Sequence, residues 1–245
     1  MSNPVLGERS FHSLENSLDS SVMTVNGTLF KTCFLTLLMA ITFAYTWSLQ
    51  VMGFADKVNI LRMIGTFGGL ILALIISFGP KNKFLAITSS LYAMCEGLFL
   101  GSYSALVNTY YKGIVPQAAI GTIMAVFGMF VLYKTNIVKC NDTFRKVIFI
   151  STFAVMGIYL LQIVLSLFHL PVMGIFSNSL LGICFSVVVV AIAAFNLIID
   201  FDIIQRLSNN ANRYMEWYGG FALLVTIVWL YIEILNLLMK LQSRR

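Results

Sequence analysis

Apolar residues run down this chain in seven long blocks, roughly 28–52, 59–79, 84–106, 115–133, 147–169, 181–204 and 219–240, separated by short polar connections. Each block is long enough to cross the ~30 Å hydrocarbon layer of a bilayer as an α-helix. In lipid a lone segment satisfies its own backbone hydrogen bonds only as a helix. A membrane β-barrel would instead alternate lipid-facing and lumen-facing residues over shorter segments, and VVVVAIAAFNLII in the sixth block shows no such alternation. The pattern predicts an all-α, polytopic membrane protein, a seven-transmembrane-helix bundle. Residues 1–27 form a polar N-terminal cytosolic arm in this reading, 28–240 the transmembrane domain, and 241–245 a short basic tail.

The arm mixes Ser, Asn and both charge signs. It lacks the basic start, apolar core and small-residue cleavage site of a secretory signal. It reads as partly ordered, with the first span acting as its own insertion signal. No soluble domain or internal repeat stands out, and seven spans fit an inverted-repeat transporter poorly.

Composition agrees with the pattern. Mean hydropathy is +0.88, with 59% hydrophobic and 11% charged residues, which excludes a soluble globular domain. The net charge of +6 would suit nucleic acid if it were gathered on one soluble face, but its placement argues otherwise. With the N-terminus inside, the inner side holds Arg9, Lys31, Lys81, Lys83, Lys134, Lys139, Arg145, Lys146, Arg206 and Arg213. The outer side holds only Lys57, Arg62 and Lys112. That asymmetry is the positive-inside signature, and no nucleic-acid partner is expected. Lys240, Arg244 and Arg245 would fall outside, against the rule. Either the last helix is held across by its neighbours, or it does not fully cross.

The residues of enzyme and metal chemistry are sparse. Cys33, Cys95 and Cys184 lie in apolar spans and Cys140 in a charged loop, without the paired spacing of a zinc site. They read as small packing residues. His12 and His169 are far apart, and His169, beside Pro171, reads as an interfacial helix-end residue. H-E-x-x-H, G-x-S-x-G and phosphate-cradling glycine loops are all missing from the sequence. No enzyme and no cofactor is expected. Gly65-x-x-x-Gly69 and Gly97-x-x-x-Gly101 read as helix-packing motifs, and Glu96, next to Gly97, should point into the bundle. Trp217 and Tyr218 fit an interfacial aromatic belt.

The placed acids carry the functional argument. Of ten Asp and Glu, six fall in loops or the arm (Glu8, Glu15, Asp19, Asp56, Asp142 and Glu216), and four in spans: Glu96, Asp200, Asp202 and Glu233. An ionisable side chain in hydrocarbon costs at least ~2.5–3.5 kcal/mol, so it normally faces the bundle interior and marks an ion or proton path. No Lys or Arg lies deep in any span to neutralise these acids. Two carboxylates that meet in a low dielectric titrate as one unit, which is the chemistry of a proton-gated switch or a cation site. Asp200 and Glu233 are the expected pair. Asp200 lies near the inner end of its span and Glu233 well into the next. Their meeting therefore requires helix six to run further inward, or helix seven to begin with a non-spanning turn. Asp202, two residues on, shares no face with Asp200 and reads as an interfacial acid beside Arg206 at i+4.

FNLIIDFDIIQ, EWYGGFALLVTIVWLYIEILNLL and YAMCEGLFLGSYSA, together with NGTLFKT before the first span, resemble the Bax-inhibitor-like (transmembrane Bax inhibitor motif) membrane proteins, particularly a bacterial branch. The resemblance covers nearly the whole chain. It implies a seven-helix fold with a cytoplasmic N-terminus in a bacterial inner membrane. It also implies a pair of acids on the last two helices, acting as a pH sensor that controls a calcium leak. Carried over, Asp200 matches the sixth-helix aspartate, and Glu233 the seventh-helix acid, where relatives often have Asp. That departure adds a methylene, which bears on the geometry of the pair and on its pH set point. The basic partner that accompanies the pair on the second helix has no match, because Arg62 lies at the outer end. Glu96 and Asp202 are further pore acids on this reading, and Asp200 and Glu233 transient calcium ligands.

Three functions follow as expectations. The first is a pH-sensitive, calcium-permeable leak channel, in which a proton shared by Asp200 and Glu233 ties helix six to helix seven. The second is a proton-coupled transporter or exchanger. The third is a non-conducting membrane protein that binds another membrane protein, as in stress protection or membrane-protein quality control. The expected partners are the lipid bilayer, calcium and protons, and the expected state is a monomer.

Overall fold

The structure is a computed structural model describing residues 22–168 and 174–244. Most of the polar arm (with Arg9 and His12), and also His169, Pro171 and Arg245, lies outside the described residues. Seven helices account for nearly everything described: α1 (Val25–Val51), α2 (Ala55–Phe78), α3 (Leu85–Tyr110), α4 (Ile114–Lys134), α5 (Asp142–Leu167), α6 (Leu180–Leu207) and α7 (Met215–Gln242), with a 3₁₀ turn at Gly174–Phe176. All seven are long and apolar enough to span a membrane, as the pattern predicts. Helix starts are written in the sequence: Thr24, Asn141 and Ser179 cap α1, α5 and α6 through side chains that accept from Gly27, Phe144 and Gly182.

The central helix is α7. It packs against α1, α3, α4 and α6, while α2 lies on α1 and α3, and α5 lies on α6. Along α7, Phe221, Leu223, Leu224, Val228, Leu230 and Leu235 are buried. One core cluster joins this helix to α1, α2, α3 and α4. A second joins it to Leu197, Phe201 and Ile204 of α6 and to Met23.

Small residues set the closeness of the first three helices. A methyl group at Gly65 would strike the backbone of Cys95 and Phe99 on α3. At Gly97 it would strike Met39 and Thr42 of α1, and at Gly101 the backbone of Phe43. Backbones therefore meet directly, where van der Waals contact replaces the missing hydrophobic drive of lipid.

Contacts between helix ends define one basic face. Lys31 of α1 pairs with Glu216 of α7, the Lys81 ammonium sits 4.5 Å from the Tyr218 ring, Tyr133 bonds Gln205, and Arg145 pairs with Asp202. The segment before α1 is fastened there too: Met23 N–H donates to Ala211 O at 2.8 Å, and Asn209 N–H donates to Met23 O at 2.9 Å. Asn209 takes the left-handed backbone that Asn tolerates (φ 66°), which turns α6 into α7.

Candidate functional site

Antiparallel α6 and α7 carry two of the intramembrane acids, and two contacts fix their register. Thr226 Oγ1 donates to Asp200 Oδ2 at 2.6 Å, and Lys240 Nζ donates to Ser186 Oγ at 2.9 Å. The same register places Ala193, not Asp200, level with Glu233. Thr226 and Glu233 lie seven residues apart on α7, about 10 Å along the axis. The structure therefore does not bring Asp200 and Glu233 together, which corrects the expected shared-proton pair. The reason is geometric. Although α6 extends to Leu207 and α7 begins early at Met215, the short 208–214 turn holds the helices in a register two turns away from pairing.

Each acid has its own neutral donors. Tyr159 of α5 donates to Glu233 Oε1 at 2.8 Å, and Trp229, one turn back on α7, donates to the same oxygen at 3.1 Å. Glu233 is buried and Asp200 partly so. Glu96 lies between α3 and α2, where a methyl group at Gly69 would meet its Oε1 at 3.1 Å. Tyr92 is its neighbour one turn back. Among the described residues no salt bridge reaches Glu96, Asp200 or Glu233. Nor do any three His, Cys, Asp or Glu among them gather as a metal site. The two acids expected from the sequence to be calcium ligands are thus held apart rather than arranged around one ion.

More polar groups line α7. Tyr103 donates to Asn236 Oδ1 at 3.0 Å, and the hydroxyls of Ser104 and Tyr231 meet at 2.7 Å. Lys240 also donates to the carbonyls of Ile175 in the 3₁₀ turn and of Gly182 in the first turn of α6. These contacts fasten the basic end of α7 to the segment at the start of α6.

Asp202 sits where its spacing predicts, accepting from Arg206 at 2.9 Å and pairing with Arg145 of α5. It belongs to the basic face and not to the line of deep acids.

Glu216, which the apolar pattern places in a loop, is buried in the first turn of α7. It accepts from the Thr24 amide at 2.9 Å and the Thr24 hydroxyl at 3.0 Å, and it pairs with Lys31. A methyl group at Gly27 would collide with its carboxylate. The signal is present in VNGTLFK, where Gly27 and Lys31 are one turn apart, but only the fold shows which acid they face. Thr226, Tyr159 and Trp229 are also acid partners that sequence reasoning misses. Trp229, at i−4 from Glu233, is the readable one.

The class these features define is a seven-span helical membrane protein with deep acids bound by uncharged donors. The family model described as Bax inhibitor 1 like matches residues 3–243. The chain belongs to that family. No curated protein and no solved structure matches it.

Proposed function

We propose that the protein is a pH-sensitive, calcium-permeable leak channel whose basic face, with the N-terminus, lies in the cytoplasm of a bacterial inner membrane. The observation that carries this reading is the set of deep carboxylates on α3, α6 and α7, satisfied by hydroxyl and indole donors and not by Lys or Arg. With no Lys or Arg bonded to them, these acids are left to exchange a proton or a passing cation, and buried ionisable residues in spans mark ion pathways. Calcium favours carboxylate and carbonyl oxygens, and the path would meet Asp200 and Glu233 in succession.

Gating follows from the same bonds. Hydrogen bonds to an ionised carboxylate are roughly twice as strong as neutral ones. Asp200–Thr226 ties α6 to α7, and Glu233–Tyr159 ties α5 to α7. Protonating either acid weakens its tie, so acid loosens the bundle and raises the leak. The two acids act as successive latches rather than as one shared-proton gate.

The test is calcium flux into liposomes reconstituted with the purified protein, measured across a series from about pH 5 to 8. Wild type should leak more at acid pH, and Asp200→Asn should leak with a pH response that is reduced but not abolished, because the Glu233 latch remains. A solute-saturable, proton-driven uptake would replace the channel with a transporter. Flux equal to protein-free liposomes at every pH would leave the partner-binding reading in its place.

A further inference from the structure

Two adjoining cavities lie at the basic face and along the membrane-facing side of the bundle. At that face is a cavity of about 980 Å³ with mixed polar and apolar walls, between the start of α1, the α4–α5 connection and the end of α6. Three cations, Lys134, Lys139 and Arg206, line it against a single carboxylate, Asp202. That carboxylate is already held by Arg145 and Arg206. Lys134 and Lys139 are exposed and have no carboxylate partner among the described residues.

Below it lies a second cavity of about 630 Å³, whose walls are almost wholly apolar. It runs between α1 and α4, which do not pack on each other, with Leu223 and Ile227 of α7 as its floor. Leu29, Phe130 and Phe201 border both cavities, so the two adjoin. On α1 the groove extends from Leu29 to Ala40, about 16 Å of helix. That is close to half of the ~30 Å hydrocarbon layer, the depth of a single leaflet.

We infer that the adjoining cavities bind one anionic phospholipid from the leaflet at the basic face, its headgroup among Lys134, Lys139 and Arg206 and an acyl chain between α1 and α4. The chemistry matches at both ends. Basic pockets between spans at a membrane surface hold anionic headgroups, and each exposed Lys or Arg is worth about fivefold in binding. An apolar slot facing lipid has no use for a soluble anion, whereas an acyl chain fills it. Occupied, the slot gives α1 and α4 a shared neighbour that the protein itself does not supply.

Native mass spectrometry of the purified full chain, titrated with phosphatidylglycerol or phosphatidylcholine of identical acyl chains, tests this. One phosphatidylglycerol should stay bound where phosphatidylcholine is lost. Lys134→Gln/Lys139→Gln, which changes only exposed side chains, should weaken that binding by about twenty-five-fold. Cys33→Trp, which fills the middle of the groove without touching charge, should abolish it. Melting temperature in detergent reports whether each variant is folded, and either folded variant is enough to decide the matter. Equal retention of the two lipids would overturn the proposal, as would unaltered phosphatidylglycerol binding in either folded variant. Displacement of the lipid by millimolar inorganic phosphate, with Cys33→Trp binding normally, would make this a phosphate site and overturn the acyl-chain half.

Discussion

Glu216→Gln asks how firmly the start of α1 is bolted to α7. The carboxylate side chain is 4% exposed and its partner Lys31 15%. It gathers three donors: the Thr24 amide, the Thr24 hydroxyl and the Lys31 ammonium. An amide of the same shape still accepts from Thr24 but offers no charge to Lys31. Removing one partner of a buried ion pair costs about 3–5 kcal/mol, because the other charge stays desolvated. Lys31 retains some contact with water, and its ammonium lies 5.2 Å from the Trp217 ring centroid, so about 2 kcal/mol is the better figure. For a chain of this size that lowers Tm by roughly 4–8 °C. Tryptophan fluorescence of the detergent-purified protein during a thermal ramp reads this directly. Lys31→Met should cost a similar amount, and the double variant clearly less than the sum, since the two residues share one contact. A Tm within about 1 °C of wild type in Glu216→Gln, or strictly additive losses, would refute the reasoning.

The remaining predictions concern the deep acids, the glycine contacts and the topology. Asp200→Asn and Glu233→Gln should each remove part of the pH response of calcium flux and should combine additively, because sites about 10 Å apart with separate partners are independent. A double variant no different from either single would restore the shared-proton pair. Tyr159→Phe, which deletes the donor from α5 alone, should shift the flux–pH curve in the direction of Glu233→Gln; a curve superimposable on wild type would dismiss that latch. Gly97→Ala forces a methyl group against Met39 and Thr42 and should cost about 1–3 kcal/mol of overpacking. Gly157→Ala, where nothing lies within 4 Å, should be neutral in the same thermal assay. Single cysteines at Lys112 and Lys139, in a background lacking the four native cysteines, should react with an impermeant thiol reagent from opposite sides of sealed vesicles. Labelling from one side would overturn the alternation of the spans.

The seven helices are legible because apolar length is a one-dimensional property, and residues near 28–52 or 147–169 must span whatever else they do. Asp202 with Arg206 is legible for the same reason, since i and i+4 on a helix are neighbours without any fold. What the sequence does not supply is register between helices. Asp200 and Glu233 look like a pair because they are the deep acids of consecutive spans. Whether they meet depends on a turn whose geometry rests on Asn209 and on its bond to Met23. Glu216 is hidden by the same gap: just ahead of the last apolar block it reads as a loop acid, and only the docking of the pre-helix segment buries it. The cavity at the basic face is invisible in the sequence, because Lys134 and Lys139 lie far along the chain from Arg206 and each looks like an ordinary positive-inside charge.

The bundle is mechanically uneven. Where α2, α3 and α1 meet, backbone lies on backbone, so those helices cannot slide without breaking contacts that no side-chain rotation could absorb. On the other side, α5 buries only Ile148 and Val155. It leans on α6 through Asn196–Thr152 and Phe144–Phe195, and it touches the central helix through Tyr159. A helix with protein on one flank and lipid on the rest feels the lateral pressure of the bilayer almost unopposed. Stretching or thinning the membrane would therefore act on α5 first, and through it on the phenol that holds Glu233. On the gating proposed above, membrane tension and acidity would work on the same bond, from opposite ends of it.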